Sequence, residues 1–358
     1  MRWDNLLLES DPVDRAKLPM FGDEAVVRRI NRPEFKGVTF YEVMAKSIIN
    51  HVPTARLGFN WTINPYRGCS HSCSYCFARP THTYLDFNAG ADFENKIVVK
   101  VNAVDLLRAQ LRKPGWKGES IAMGTNTDNY QRAEGHYKLM RGILAELNAA
   151  RNPYSILTKG TLIQRDIDLL AEGASKMTVT TAFSVGTVDE KVWKKTEPGT
   201  PHPRKRLEVL TKLNEAGVPC GVLMAPILPE ISDSPEQLEE TVRAVSEAGA
   251  THITPLVLHL RPGVKEEFVA WLQLTYPELT GSYEQMYPGA NAPKKVREAI
   301  TNSVADLRRR FPNPRRPAPH RPYRGPRPHG GPRPAAEQKS SAKSSDQMSL
   351  DLANGRVC

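Results

Sequence analysis

The sequence predicts an α/β protein, a partial (β/α)6 TIM-like barrel, and three observations carry that expectation. Short apolar, β-branched runs alternate with amphipathic helical stretches from Ile63 to about Arg261. About six strand–helix units can be counted, short of the eight that close a barrel. Three of the helical stretches end in AEGA, NEAGV and SEAGA, each placing Gly where a left-handed C-cap is wanted. A doubly wound open sheet is the alternative. In both folds the loops after the C-terminal ends of the strands carry the chemistry.

The elements follow in order. Residues 1–60 read as an irregular, mixed-charge N-terminal extension that wraps the barrel. WTINPY is the first strand and feeds the loop RGCSHSCSYCF. KIVVKV is a β-branched run, followed by VDLLRAQL with helical spacing. SIAMGTNTD is strand then loop, ahead of the helix AEGHYKLMRGILAELNAA. PYSILTKG precedes RDIDLLAEGA, KMTVTTAFSVG precedes PRKRLEVLTKLNEAG, and VPCGVLMAPILPE precedes SPEQLEETVRAVSEAGA. THITPLVLHL completes a core over 61–262. Residues 263–311, with EEFVAWLQLTY and APKKVREAITNSVADLRRRF, read as an α-helical cap. From 312 to 358 the chain is first Pro/Arg/Gly-rich and then polar. Neither composition buries a core, so a disordered tail is expected.

The 358 residues are 40% apolar and 25% charged, a globular composition. No run approaches the roughly 20 apolar residues that span a bilayer, so no membrane association is expected. MRWDNLLLESD sets acids beside a very short apolar run, unlike a secretory signal. Five cysteines, three of them clustered, argue against a disulfide framework and for a reducing cytoplasm. The net charge of +10 is uneven: from Phe311 onward nine Lys/Arg face three Asp/Glu, leaving +4 for the first 310 residues. The basic balance therefore speaks for the tail more than for the folded body.

Cys69, Cys73 and Cys76 stand in the spacing C-x3-C-x2-C, while Cys220 falls in a later strand and Cys358 in the tail. Structural zinc takes four ligands. His71 would complete a Cys3His set, although ligands two residues apart rarely reach the same ion. A [4Fe–4S] cluster is normally held by four thiolates, and three leave one iron open to a group that is not protein. From the residues alone both readings stand.

The triplet with an aromatic before its last cysteine, placed after a first strand, resembles the radical S-adenosylmethionine (SAM) superfamily. NPYRGCSHSCSYCFAR, MGTNTDNYQ, LTKG, FSV and APILP, in that order, look like the branch of spore photoproduct lyase and "DNA repair photolyase"-like proteins, over about residues 60–260. The N-terminal region is similar to that of an actinobacterial branch. The resemblance implies a partial (β/α)6 barrel in which Cys69, Cys73 and Cys76 each bind one iron and SAM chelates the fourth. An electron from a flavodoxin- or ferredoxin-like donor would then cleave SAM to methionine and a 5′-deoxyadenosyl radical. By the same resemblance Tyr75 and Phe77 lie near the cluster and the adenine. Thr125, Asn126 and Thr127 meet the polar end of SAM, and Lys159 meets its carboxylate. Ser184 takes the methionine or ribose end, and Ala225 and Pro226 offer backbone to the adenine. In one respect the chain departs from the lyases, which carry a hydrogen-donor cysteine after the second strand. That place falls at Thr125, and no cysteine lies between Cys76 and Cys220. A hydroxyl O–H is too strong a bond to replace the thiol. Asp128, Tyr130, Arg132, Glu134, Glu197 and Arg204 crowd loops expected at the mouth, with no individual roles assigned.

The Pro/Arg-rich tail suits a phosphate tether. Gln347, Leu350 and Leu352 sit in QMSLDL, which resembles the peptides that dock bacterial sliding clamps. The function expected is a lyase-like radical SAM enzyme acting on nucleic acid. Modification of tRNA, protein or peptide is one alternative, and a non-catalytic nucleic-acid-binding iron–sulfur or zinc protein is another.

Overall fold

The computed structural model describes residues 14–18, 21, 24–30, 32–52 and 59–314. The basic tail, Cys358 and the clamp-like residues Gln347, Leu350 and Leu352 lie outside the described residues. The strands are β1 (Asp14–Lys17), β2 (Glu24–Arg28), β3 (Thr39–Val43), β4 (Ile49–His51), β5 (Trp61–Ile63), β6 (Tyr66–Arg67), β7 (Lys96–Lys100), β8 (Ile121–Met123), β9 (Tyr154–Thr158), β10 (Val179–Ser184), β11 (Cys220–Ile227) and β12 (Ile253–Val257).

Six of them, β5, β8, β9, β10, β11 and β12, lie side by side in chain order, every neighbouring pair parallel. β4 adds an antiparallel strand beside β5, so the sheet runs from β4 to β12 without closing. This is the partial barrel that a count of six units predicts. Ile121, Ala122 and Met123 are all buried, as strands covered on both faces must be. Between the strands run helices such as Leu139–Ala149, Ile167–Lys176, Pro203–Glu215 and Pro235–Glu247. The last of these starts on a capping box. Ser234 Oγ accepts from Gln237 N, and Gln237 Oε1 accepts from Ser234 N, both at 3.3 Å.

Four features differ from the sequence reading. The described part of the N-terminal region is not irregular throughout: β1, β2 and β3 join β7 and β6 in a second, five-stranded sheet. KIVVK therefore serves that sheet rather than the barrel, pairing parallel to TFYEV of β3 and antiparallel to β6. Gly217 and Gly249 end their helices with φ of +81° and +87°, as expected, but Gly173 lies inside its helix. A Cβ at Gly173 would come within 2.6 Å of Asn148 Oδ1 and 2.8 Å of Tyr154 Oη, so close approach explains that glycine. Finally, the helix read from AEGHYKLMRGILAELNAA breaks at Lys138, φ +53°. The break lets buried Glu134 accept from Met140 N at 3.1 Å, Tyr66 Oη at 2.5 Å and Arg165 Nη2 at 2.6 Å.

The region after β12 divides in two. Ile300 and Val304 of helix Lys294–Arg310 join the main apolar core. Phe268, Leu272, Tyr283 and Tyr287 form a separate apolar cluster with Leu258, Leu260, Cys73 and Tyr75. The segment holding Phe268–Tyr287 thus seats directly on the cysteine loop. No described helix is long and apolar enough to cross a membrane.

Candidate active site

The cysteine loop leaves β6 at Gly68, φ +77°, where a Cβ would lie 2.9 Å from His82, from Phe93 O and from Lys96 O. The Gly68 carbonyl accepts from Thr127 Oγ1 at 2.7 Å and Gln131 Nε2 at 2.9 Å. Cys69 N donates to Phe93 O at 2.8 Å, Ser74 N to Thr196 O at 3.0 Å, and Gly199 N to His71 O at 3.1 Å. Two guanidiniums grip the far side: Arg79 Nη2 donates to Cys73 O at 3.0 Å and Arg261 Nη2 to Phe77 O at 2.6 Å. Loops after β8 and β10 therefore fix the thiols before any ligand arrives, which is what a preorganised site requires.

Cys69 and Cys73 are buried and Cys76 is half-buried. Burial raises the pKa of all three thiols. Asp128 adds to it at Cys69, while Lys159 opposes it at Cys73. At Cys76 the opposing cations are Arg79, Lys159 and Arg261. Thiolates here need a metal to be stable. Ser74 Oγ, Arg79 Nε and Arg261 Nε are buried without a hydrogen-bond partner among the described residues. Three soft donors beside guanidinium N–H groups with nothing to bond suit a thiolate-bound, anionic iron–sulfur group. Among the described residues no three His, Cys, Asp or Glu side chains close around one point as the ligands of a single zinc must. His71 Nδ1 instead lies 3.3 Å from Asp128 Oδ2.

Lys159, just past β9, donates from Nζ to Ser184 Oγ at 2.6 Å and lies 3.8 Å from Glu197 Oε1. The same ammonium stands 5.6 Å from the centre of the Tyr75 ring. Ser184 Oγ donates to Ala225 O at 2.8 Å. Glu197 accepts from Tyr75 Oη and from Arg206 Nη2. Arg206, with no exposure at all, also donates to Ser184 O at 2.8 Å and Thr200 Oγ1 at 2.5 Å. Burial pushes the Glu197 carboxyl up, but Arg206 and then Lys159 outweigh it and hold the carboxyl below its ordinary range. Arg206 and Lys159 thus share one carboxylate beside the cysteine loop. Arg206 escaped the sequence reading, although an Arg on the same helical face as Leu210 and Leu213 is a legible sign of a buried ion pair.

Asn64 joins the end of β5 to the loop after β8, donating to Thr125 Oγ1 at 3.0 Å and accepting from Asn126 N at 3.2 Å. Thr125 is half-buried, Asn126 exposed and Thr127 buried. Asp128 accepts from Thr158 Oγ1 and Lys159 N, each at 2.6 Å. Against burial, its contact with His71 and these bonds hold the carboxyl well below the usual range. Tyr75 turns inward, whereas Phe77 is 42% exposed and is not a core residue. Tyr130 and Glu134 point into the core. Arg132 is exposed and lines a cleft of about 240 Å³ with His71 and Thr200. Arg204 pairs with Glu240 at 2.6 Å on the outer surface. Pro226 follows Ala225 through a cis bond, and a Cβ at Gly186 would come within 2.4 Å of Pro226 O. Cys220 begins β11, fully buried in the main core at the opposite end of the strand.

Gly124 opens the loop that carries Thr125, with φ +87° and a would-be Cβ only 2.0 Å from Leu157 O. Gly124→Ala should therefore destabilise the fold by about 1–3 kcal/mol from backbone strain, before any clash is counted. A lower urea midpoint with an unchanged m-value is the expected result; an unmoved midpoint counts against the close approach.

Comparison with known proteins agrees with this fold. An uncharacterized protein of Mycobacterium tuberculosis is 46% identical over 325 residues, covering 89% of this chain and 96% of that protein. An uncharacterized protein of Methanocaldococcus jannaschii is 28% identical over 267 residues, covering 75% of this chain and 93% of the other. Among solved structures, spore photoproduct lyase complexed with dinucleoside spore photoproduct superposes with a TM-score of 0.59 over 76% of this chain and 79% of that one. Its 15% identity speaks for the fold alone. The profile of the Radical SAM superfamily matches residues 63–245, from the end of β5 into the helix after β11. The chain belongs to the radical SAM superfamily.

Proposed function

We propose that this protein is a radical SAM enzyme that holds a [4Fe–4S] cluster on Cys69, Cys73 and Cys76 and acts on a nucleic acid. The observation that carries this reading is the set of three thiols on one braced loop at the mouth of the partial barrel, with the cation Lys159 acting on Cys73 and Cys76. Such a cluster, when bound and reduced by a flavodoxin- or ferredoxin-like donor, would supply the electron for cleavage of SAM to methionine and a 5′-deoxyadenosyl radical. The protein's own part is to bind and orient. Lys159 takes the SAM carboxylate, with Ser184 fixing the ammonium's direction. Ala225 and Pro226 offer the backbone edge of β11 to the adenine, Thr125, Asn126 and Thr127 line the polar end, and Tyr75 and Phe77 flank Cys76. Thr125 gives its hydroxyl oxygen to Asn64 and supplies no thiol, so a lyase reaction finished by a cysteine at that place is not part of the reading.

Nucleic acid as the substrate class is supported by the basic tail and by the likeness to a lyase solved with a dinucleoside photoproduct. After anaerobic iron–sulfur reconstitution, dithionite and SAM should yield 5′-deoxyadenosine. Protein with an intact cluster that yields none under several reductants refutes the catalytic reading. Oligonucleotide binding should weaken steeply with salt, and deletion of residues 315–358 should flatten that slope.

A further inference from the structure

We propose that Arg67 and Lys100 form a binding site for a phosphate-type oxyanion, the group carried by free phosphate, a nucleotide or a nucleic-acid backbone. β6 and β7 run antiparallel with Arg67 opposite Val98. Side chains two apart share a face of a strand, so Lys100 projects on the same side as Val98 and lies diagonal to Arg67. Lys100 is only 6% exposed, in a strand whose Ile97, Val98 and Val99 are wholly buried. Arg67 is half-buried.

Neither cation has a carboxylate partner among the described residues. Among the described residues the charged neighbour acting on Lys100 is Arg67, and the titratable groups coupled to Arg67 are Tyr84 and His82, neither of them a carboxylate. Burying one unpaired charge is costly, and setting two like charges on one strand face adds repulsion. Lys100 meets the cost by a pKa lowered to about 7, through burial first and Arg67 second. Arg67 cannot lose its proton near neutral pH. An oxyanion between them repays both costs, and a guanidinium beside an ammonium is a donor pair suited to phosphate.

The surroundings point to a phosphate that belongs to a nucleotide. Tyr84 is 53% exposed and acts on both Arg67 and Arg261. Arg261 holds the carbonyl of Phe77, itself an exposed aromatic. Cations alternating with open aromatic faces form the surface that single-stranded nucleic acid uses, phosphate on charge and base on ring.

The test is direct binding to the full-length reconstituted protein, with inorganic phosphate by calorimetry and a labelled single-stranded oligodeoxynucleotide by anisotropy. Lys100→Met should weaken phosphate binding at least about tenfold, or 1.4 kcal/mol. Lys176→Met removes an equal charge from an exposed pair with Glu172 and should change nothing. Without phosphate, Lys100→Met should melt at the same temperature or higher, because an unpaired buried charge has gone. Phosphate that displaces the oligonucleotide assigns the site to a polymer backbone; phosphate binding without oligonucleotide binding assigns it to a small phosphate. The site is overturned if phosphate affinity survives Lys100→Met, if Lys176→Met weakens it equally, or if Lys100→Met melts lower. Because binding is read directly, such a failure leaves iron–sulfur assembly and SAM cleavage untouched.

Discussion

Cys73→Ala is expected to strip the visible charge-transfer absorbance from the reconstituted protein and to cut 5′-deoxyadenosine to background. Two thiolates do not hold the cluster that three are proposed to hold. The fold should survive, since Cys73 sits in an apolar cluster with Tyr75, Val192 and Leu228, and losing one sulfur there costs about 1 kcal/mol. Cys220→Ala is the matched control. It removes another buried thiol, at the far end of β11, and should keep both absorbance and product. Retained absorbance in Cys73→Ala would refute the ligand assignment.

The second large effect is on stability. Glu197→Ala leaves Arg206 wholly buried with no carboxylate, which costs about 3–5 kcal/mol. The melting temperature should fall by on the order of 10 °C. Adding Arg206→Met should recover most of the loss, because replacing both members of a buried pair by apolar groups is close to neutral. The pH dependence has a definite sign. The Glu197 carboxyl is held below its ordinary value in the folded protein, so its contribution is complete above the unfolded value of about 4.3. It is lost as pH falls through the lower folded value. The gap in melting temperature between wild type and Glu197→Ala should therefore narrow in acid. A gap that stays constant or widens would mean that the Arg206 pair does not set the Glu197 carboxyl.

The barrel was legible because each of its units is local: a run such as IAM is buried throughout, SILT and TAFS mix buried with half-buried positions, and the helix beside each shows one apolar stripe. KIVVK was misplaced for the complementary reason. A β-branched run looks the same whichever sheet takes it, and its partner is Thr39–Val43, far back in the chain. AEGA looks like a helix end, but Gly173 is there because Asn148 and Tyr154 occupy the space of a Cβ, which no local pattern reports. At the site the thiols and Lys159 could be read from short motifs. Arg206 could not be tied to Glu197 and Ser184, because that union depends on how helix Pro203–Glu215 seats against the end of β10.

Cys73 and Tyr75 share one apolar cluster with Phe268, Leu272, Tyr283 and Tyr287. The cysteine loop and the segment lying over it therefore open and close as one cooperative unit. Whatever the loop gains in free energy on taking up its ligand is felt equally as protection of that segment from exchange and proteolysis. On the proposed function an order of assembly follows: iron would reach Cys73 while the cover is unseated, and the filled loop would then lock the cover down. Oxidative loss of the metal would run the same sequence backwards, releasing the cover as the first visible sign of damage.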